Sequence, residues 1–299
     1  MLKKILSFGF SFSILSALTP HVWAGNIMEQ IKETGVIRAG YRPDTVPFAF
    51  VDDDGKPIGY AIELLELIKE ETEARLGKPI ELELIKITPS NRFEQITEGI
   101  IDIECGSTTI TWERNKYVDF SASYFASGTQ MIVNRGSQWA NAESLAGAKI
   151  AVIPNTTNET AIRNFAPDAE FIFVESEEEG WQMVQDDEVV GFAGDGILLQ
   201  ALKGEVSDSA DYEIVPEFPY MIESYACTLP LNESEWRNVV NYSLVQYMQG
   251  VVVGVPESQA LYSRWFGVNG VTPYPIETMA DYFQGIVNGY QWIPIEGRY

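Results

Sequence analysis

Twice along this chain a short apolar stretch gives way to an amphipathic helical pattern, and the alternation completes itself before the next unit begins. In the first unit, strand-like residues 36–41, 81–87 and 101–104 alternate with helical patterns at 60–76 and 92–99. Ile62, Leu65 and Ile68 share one helix face, and Phe93, Ile96 and Ile100 recur at three- and four-residue spacing. The second unit follows Gly147, with strands expected at 149–153, 170–174 and 189–193 and helices at 160–165 and 177–185. Strand, helix, strand in that order requires crossovers, so the sheets should be mainly parallel with helices on their faces. Two such units predict an α/β protein of two lobes. The later stretch offers one strand at 225–229 and helices at 233–248 and 258–266, too little for a third lobe, so it should return to complete the first. The tail from Thr272 to Tyr299, rich in Tyr and Pro, either packs on that lobe or hangs free.

In open parallel sheets, ligands sit beyond the carboxyl ends of the strands. Arg42, Ser107 to Thr109, Thr156, Thr157 and Asp195 all follow strands and are candidates to face one cleft. The segment from Ile100 to Ser121, IIDIECGSTTITWERNKYVDFS, is the richest of these. A strand ending in hydroxyls and free backbone N–H groups, with Arg114 a few residues on, suits capture of a carboxylate, because guanidinium is a planar two-pronged donor. A strand, a turn and a surface-paired arginine is an equally good reading of the same residues.

Met1 to Ala24 reads as an export signal: Lys3 and Lys4, an apolar run over 5–18, and Val22-Trp23-Ala24 before the cut. Release by cleavage after Ala24 is expected, with a retained anchor as the alternative. The net charge is −23, and removing the signal takes away two lysines and no acid. Such an acidic body disfavours nucleic acid and anionic membranes, so an anionic ligand needs a local basic pocket. The single histidine, His21, departs with the signal. Histidine-dependent triads and zinc sites are thereby excluded from the mature chain. Cys105 and Cys227 lie 122 residues apart, and an exported pair more often bonds than not. Two buried free thiols are the alternative.

The blocks GYRPDTVPFAF (40–50), PSNR (89–92), DIECGSTT (102–109), ERNK with DFS up to Ser121, and YACTL (225–229) resemble the family 3 extracellular solute-binding proteins, the amino-acid receptors of ATP-driven importers. Within that family the glutamate/aspartate-binding branch is the most similar. The resemblance implies a two-lobed periplasmic-binding fold of type II, with lobe 1 formed by residues 25–128 and 223–299 and lobe 2 by 129–222. It further implies a periplasmic monomer without a cofactor, an amino acid as ligand and an inner-membrane permease as partner. Carried onto this sequence, Arg114 would clamp the α-carboxylate with Ser107, Thr109 and the turn at Thr156 and Thr157. Asp195 would accept the α-ammonium, and Arg42 and Arg92, assisted by Ser90, would hold a side-chain carboxylate.

Simpler roles stand beside these: Asp195 as a helix N-cap, Thr156 and Thr157 as caps, Arg42 and Arg92 as solvated charges, Arg114 paired to Glu113 or Asp119. One departure bears on the ligand. Where some acidic-amino-acid binders carry a histidine, this chain has Glu177, Glu178 and Glu179. Turned inward, a glutamate there would repel an acidic side chain and favour an amide or a cation. The expected ligand order is glutamate/aspartate, then glutamine/asparagine. An enzyme on the same fold, similar to cyclohexadienyl dehydratase, and a ligand-sensing domain are the rival classes; binding without catalysis is expected. Hinges are expected near 127–130 and 222–225.

Overall fold

The computed structural model describes residues 26–137 and 142–293; the expected signal and residues 294–299 of the tail lie outside the described residues. The first unit comprises α1 (Ile27–Thr34), β1 (Val36–Tyr41), β2 (Asp44–Thr45), β3 (Ala49–Val51), β4 (Pro57–Ile58), α2 (Tyr60–Leu76), β5 (Glu81–Lys86), α3 (Arg92–Thr97), β6 (Ile103–Glu104) and β7 (Asp119–Phe120). A long strand, β8 (Phe125–Asn134), leads to β9 (Lys149–Val152), α4 (Thr157–Phe165), β10 (Glu170–Phe173), α5 (Glu177–Gln185), β11 (Gly191–Asp195), α6 (Gly196–Glu205) and β12 (Tyr212–Val215). The chain returns through β13 (Met221–Tyr225) and β14 (Thr228–Leu229) to α7 (Ser234–Val253), α8 (Pro256–Phe266) and α9 (Ile276–Val287).

Local chemistry explains where the helices begin. Asn26, Thr156 and Ser176 cap α1, α4 and α5 by accepting a hydrogen bond from a backbone N–H in the first turn. The long helix α2 instead starts from Gly59, whose φ of +139° suits only glycine. A Cβ there would lie 2.2 Å from the Phe48 carbonyl oxygen, so this glycine lets the loop from β2 close onto the helix. Behind it, Phe48, Tyr60, Tyr124, Phe125, Tyr225 and Phe266 form an aromatic cluster at the centre of the larger core. Tyr60 therefore belongs to the core and not to the wall of a cleft.

Two sheets carry the architecture. The first has the order β5-β1-β6-β14-β7, with β5, β1 and β6 parallel. The second has the order β10-β9-β11-β8-β12, with β10, β9 and β11 parallel and β8 antiparallel to β11, β12 and β13. Each sheet is thus mixed, parallel only in the half that the strand–helix alternation announces. The strand β8 pairs with β13 in register Phe125↔Tyr225, Ser127↔Glu223 and Met221↔Thr129, and this ribbon runs between the two sheets. At its near end, Ile110 N–H donates to the Ser224 carbonyl and Ala226 N–H to the Thr108 carbonyl. The Cys105–Cys227 disulfide joins the same region, binding the end of β6 to the segment entering β14.

The tail packs. Met279, Phe283 and Val287 of α9 are buried in the larger core, and Gln249 holds Ile293 by both its backbone groups at 2.6 and 2.9 Å.

Candidate functional site

The six parallel strands end on the same side of their sheets, and each delivers a polar side chain there. After β1 comes Arg42, after β5 comes Arg92 on α3, and after β6 come Ser107 and Thr109. Across the cleft, β9 leads to Thr157, β10 to Glu177 and β11 to Asp195. All but Thr157 are buried.

Arg114 stands in a short 3-10 turn, and its Nη1 donates to the Thr109 carbonyl at 2.7 Å. It makes no surface ion pair: Glu113 is taken by Lys116, and Asp119 by Arg237 at 3.0 Å. The Arg114 and Arg92 guanidinium carbons lie 5.1 and 4.9 Å from the centroid of the Phe93 ring, so one aromatic ring supports both cations. Burial, with Arg114 and Arg42 nearby and Glu104 opposing them, brings Arg92 down to about 9. Burial also lowers Arg114, against the nearby Glu223. Two desolvated cations set this close together favour an incoming anion.

The other pole is Asp195. It occupies the N-cap position of α6, yet its side chain makes no capping bond. Oδ2 accepts from Asn158 Nδ2 at 3.3 Å, while Oδ1 is buried with no hydrogen bond of ordinary length among the described residues; the Tyr225 hydroxyl, likewise buried and unsatisfied, lies near enough to this carboxyl to favour its charged form in part. Burial, with Glu223 and Glu177 adding to it, holds this carboxyl well above the usual carboxylate range. A cation delivered to Oδ1 would relieve that cost. The glycines flanking it serve packing: a Cβ at Gly196 would lie 1.8 Å from Gln130 Oε1.

Glu223, fully buried on β13, links the two sides. Thr109 donates to its Oε2, as does Thr157 at 2.5 Å, and Thr129 donates to its Oε1 at 2.5 Å. Thr109 belongs to the first sheet's loops and Thr157 to the second's, so one carboxylate on β13 gathers a hydroxyl from each. Asn158, Thr129, Phe93 and Glu223 were not among the sequence candidates. For Glu223 a signal existed: strand alternation puts it on the same face as the buried Tyr225.

Several expectations change. Ser90 is exposed and its hydroxyl pairs with that of Thr88 at 2.9 Å, so it does not join the cluster. Thr156 spends its hydroxyl on Ile153 O at 2.7 Å and on capping α4, because it sits at the helix entry. Trp112 is 89% exposed and lies outside the buried set. Arg42 is buried and not solvated, but Asp44 and Glu177 already engage it. Glu177 does point inward, at 3.4 Å from Arg42 Nη2, and its Oε2 has no partner among the described residues. Among the described residues, no group of three or more His, Cys, Asp or Glu is arranged to hold a metal ion.

A cleft with buried guanidinium groups on one wall and the buried carboxyls of Asp195 and Glu177 on the other belongs to a two-lobed binding protein of the α/β class. Residues 37–268 match the bacterial extracellular solute-binding proteins, family 3, and the chain belongs to that family. A glutamate/aspartate import solute-binding protein of Salmonella typhimurium is 27% identical over 267 residues, 88% of this chain and 86% of its own. An L-glutamate/L-aspartate-binding protein of Pseudomonas aeruginosa is 28% identical over 270 residues, covering 88% and 87%. Among solved structures, an ancestral arginine-binding protein bound to glutamine superposes with a TM-score of 0.68 at 26% identity, covering 78% of this chain and 98% of that one. These relatives are binding proteins, as the family description states.

Proposed function

We propose that this chain is the substrate-binding component of an ABC importer in the periplasm, and that it captures a polar L-α-amino acid between its lobes. The observation that carries the proposal is the pairing of the buried, desolvated Arg114 with the unpartnered Asp195 Oδ1 across one cleft. A zwitterion fits these two groups: its carboxylate goes to Arg114 with Ser107, Thr109 and Thr157, and its ammonium to Asp195. The side chain extends toward Arg92, Arg42 and Glu177. The names of the similar proteins support an amino-acid ligand of this size and polarity, since they name glutamate, aspartate and glutamine.

Lobe 1 in this reading comprises residues 25–128 and 223–299, and lobe 2 comprises 129–222. Two hydrophobic clusters lying wholly within 129–222 support that division, while the larger core of lobe 1 also takes in Ile197 and Leu198 of α6. Ligand bound to one wall completes its contacts on the other, shifting the population toward the closed form about the β8–β13 ribbon. The closed, loaded protein, a monomer, then presents the ligand to its permease.

Isothermal titration with the L-amino acids tests the assignment. Truncating a buried charge partner costs about 2–5 kcal/mol, so Arg114→Ala should weaken binding of the best ligand from roughly 30-fold to several-thousand-fold. Unchanged affinity in that variant would contradict the role given to Arg114.

A further inference from the structure

We propose that the side-chain end of this cleft selects a carboxamide, as in glutamine or asparagine, over the carboxylate of the corresponding acid. The inference rests on the reading of the cleft as an amino-acid site and specifies what lies at its far end.

The charges at that end already balance. Arg42, 5% exposed, is held by Asp44 Oδ1 and Oδ2 at 3.2 and 3.4 Å and by Glu177 Oε1 at 3.4 Å. With two carboxylates on it, this guanidinium has no spare attraction for a third. What remains are two buried atoms without partners among the described residues: Arg92 Nε, a donor, and Glu177 Oε2, an acceptor. Glu177 touches Arg42, and Arg92 lies close enough to both to act on them, as Glu177 does on Asp195, so these groups lie in one neighbourhood. Gly194 faces this carboxylate closely: a Cβ there would lie 3.5 Å from Oε2 and 3.1 Å from Leu199 Cδ2.

A carboxamide matches that residual pair, offering its carbonyl oxygen to Arg92 and its NH2 to Glu177. A carboxylate could satisfy Arg92 but would turn a second anion toward Oε2, leaving that buried acceptor facing a like charge. A side-chain cation could satisfy Oε2 but would face Arg92 and Arg42. An aliphatic side chain would leave both atoms unpaired. Sites that leave buried polar groups unmatched discriminate strongly, because the wrong ligand desolvates them without replacement.

The test is titration calorimetry at pH 7.5 with the twenty standard L-amino acids on the wild-type protein, and with L-glutamine, L-asparagine, L-glutamate, L-aspartate and L-arginine on the isosteric variant Glu177→Gln. The expected result is an amide bound at least ten times more tightly than its acid by the wild type. In E177Q, which frees part of the Arg42 charge, that ratio should fall at least tenfold. Tighter wild-type binding of an acid, of arginine or of an aliphatic amino acid overturns the proposal and leaves the amino-acid site standing. An amide preference that E177Q leaves unchanged also overturns it, because the selection would then not come from Glu177. Failure of every L-amino acid to bind overturns the underlying reading as well, and is told apart by the absence of any heat of binding.

Discussion

Asp195, the residue proposed to take the ligand ammonium, carries a cost in the ligand-free fold. Its folded pKa lies above the unfolded value because burial, then Glu223 and Glu177, disfavour the charged form. The stability it contributes is therefore fully present below the unfolded pKa and is lost as pH rises through the folded one. Asp195→Asn removes that titration. The ligand-free variant should melt above wild type at pH 8, with the gap closing toward pH 5, while amino-acid affinity falls at least tenfold; differential scanning calorimetry and calorimetric titration measure the two effects. A variant that is less stable at pH 8 would contradict the unpaired state of Oδ1. At this scale the sequence disclosed the residue types better than their partners. Arg114, Asp195 and Thr109 stand out as polar groups at strand ends, which is a local property. That Glu177 would close on Arg42 depends on two segments 135 residues apart and leaves no local trace, unlike the contact of Arg42 with Asp44 two residues on.

Among the elements, the strand–helix alternation was legible because each piece has its own periodicity, and β1, α2 and α5 run over the residues anticipated. By contrast, β8 begins Phe-Ala-Ser-Gly-Thr-Gln and shows no apolar alternation over that half; its ladder partners on both flanks make it a strand. The mixed character of both sheets was hidden for the same reason. The helix α6 was missed behind Gly194-Asp195-Gly196, and α9 behind the prolines before it. Cys105 and Cys227 were legible as a pair, and both are fully buried. Their bond closes a loop of 122 residues, for which chain-entropy arguments give a stabilisation of about 4–5 kcal/mol, with measured losses for native disulfides nearer 2–5 kcal/mol. The double variant C105A/C227A should lose stability in that range in urea unfolding, and an unchanged midpoint would show that the packing around β6 and β14 suffices without the bond.

On the scale of the whole molecule, the acidic surface and the basic cleft belong to one design. A chain of net charge −23 repels anions at long range, yet salt screens that field beyond about 8–10 Å, while the buried Arg92 and Arg114 act at contact distance. The lobes are tied by groups that also line the site: Arg42 to Glu177, and Thr109 and Thr157 to the shared Glu223. Closure and recognition therefore draw on the same side chains. The claim on which all of this depends is that a zwitterion spans the cleft with a defined polarity. A crystal structure of the protein with the amino acid that most raises its melting temperature tests this most directly. The account predicts the α-carboxylate within hydrogen-bond distance of the Arg114 guanidinium and the α-ammonium within hydrogen-bond distance of Asp195 Oδ1. A ligand bound in the reverse orientation, or elsewhere on the molecule, would contradict it.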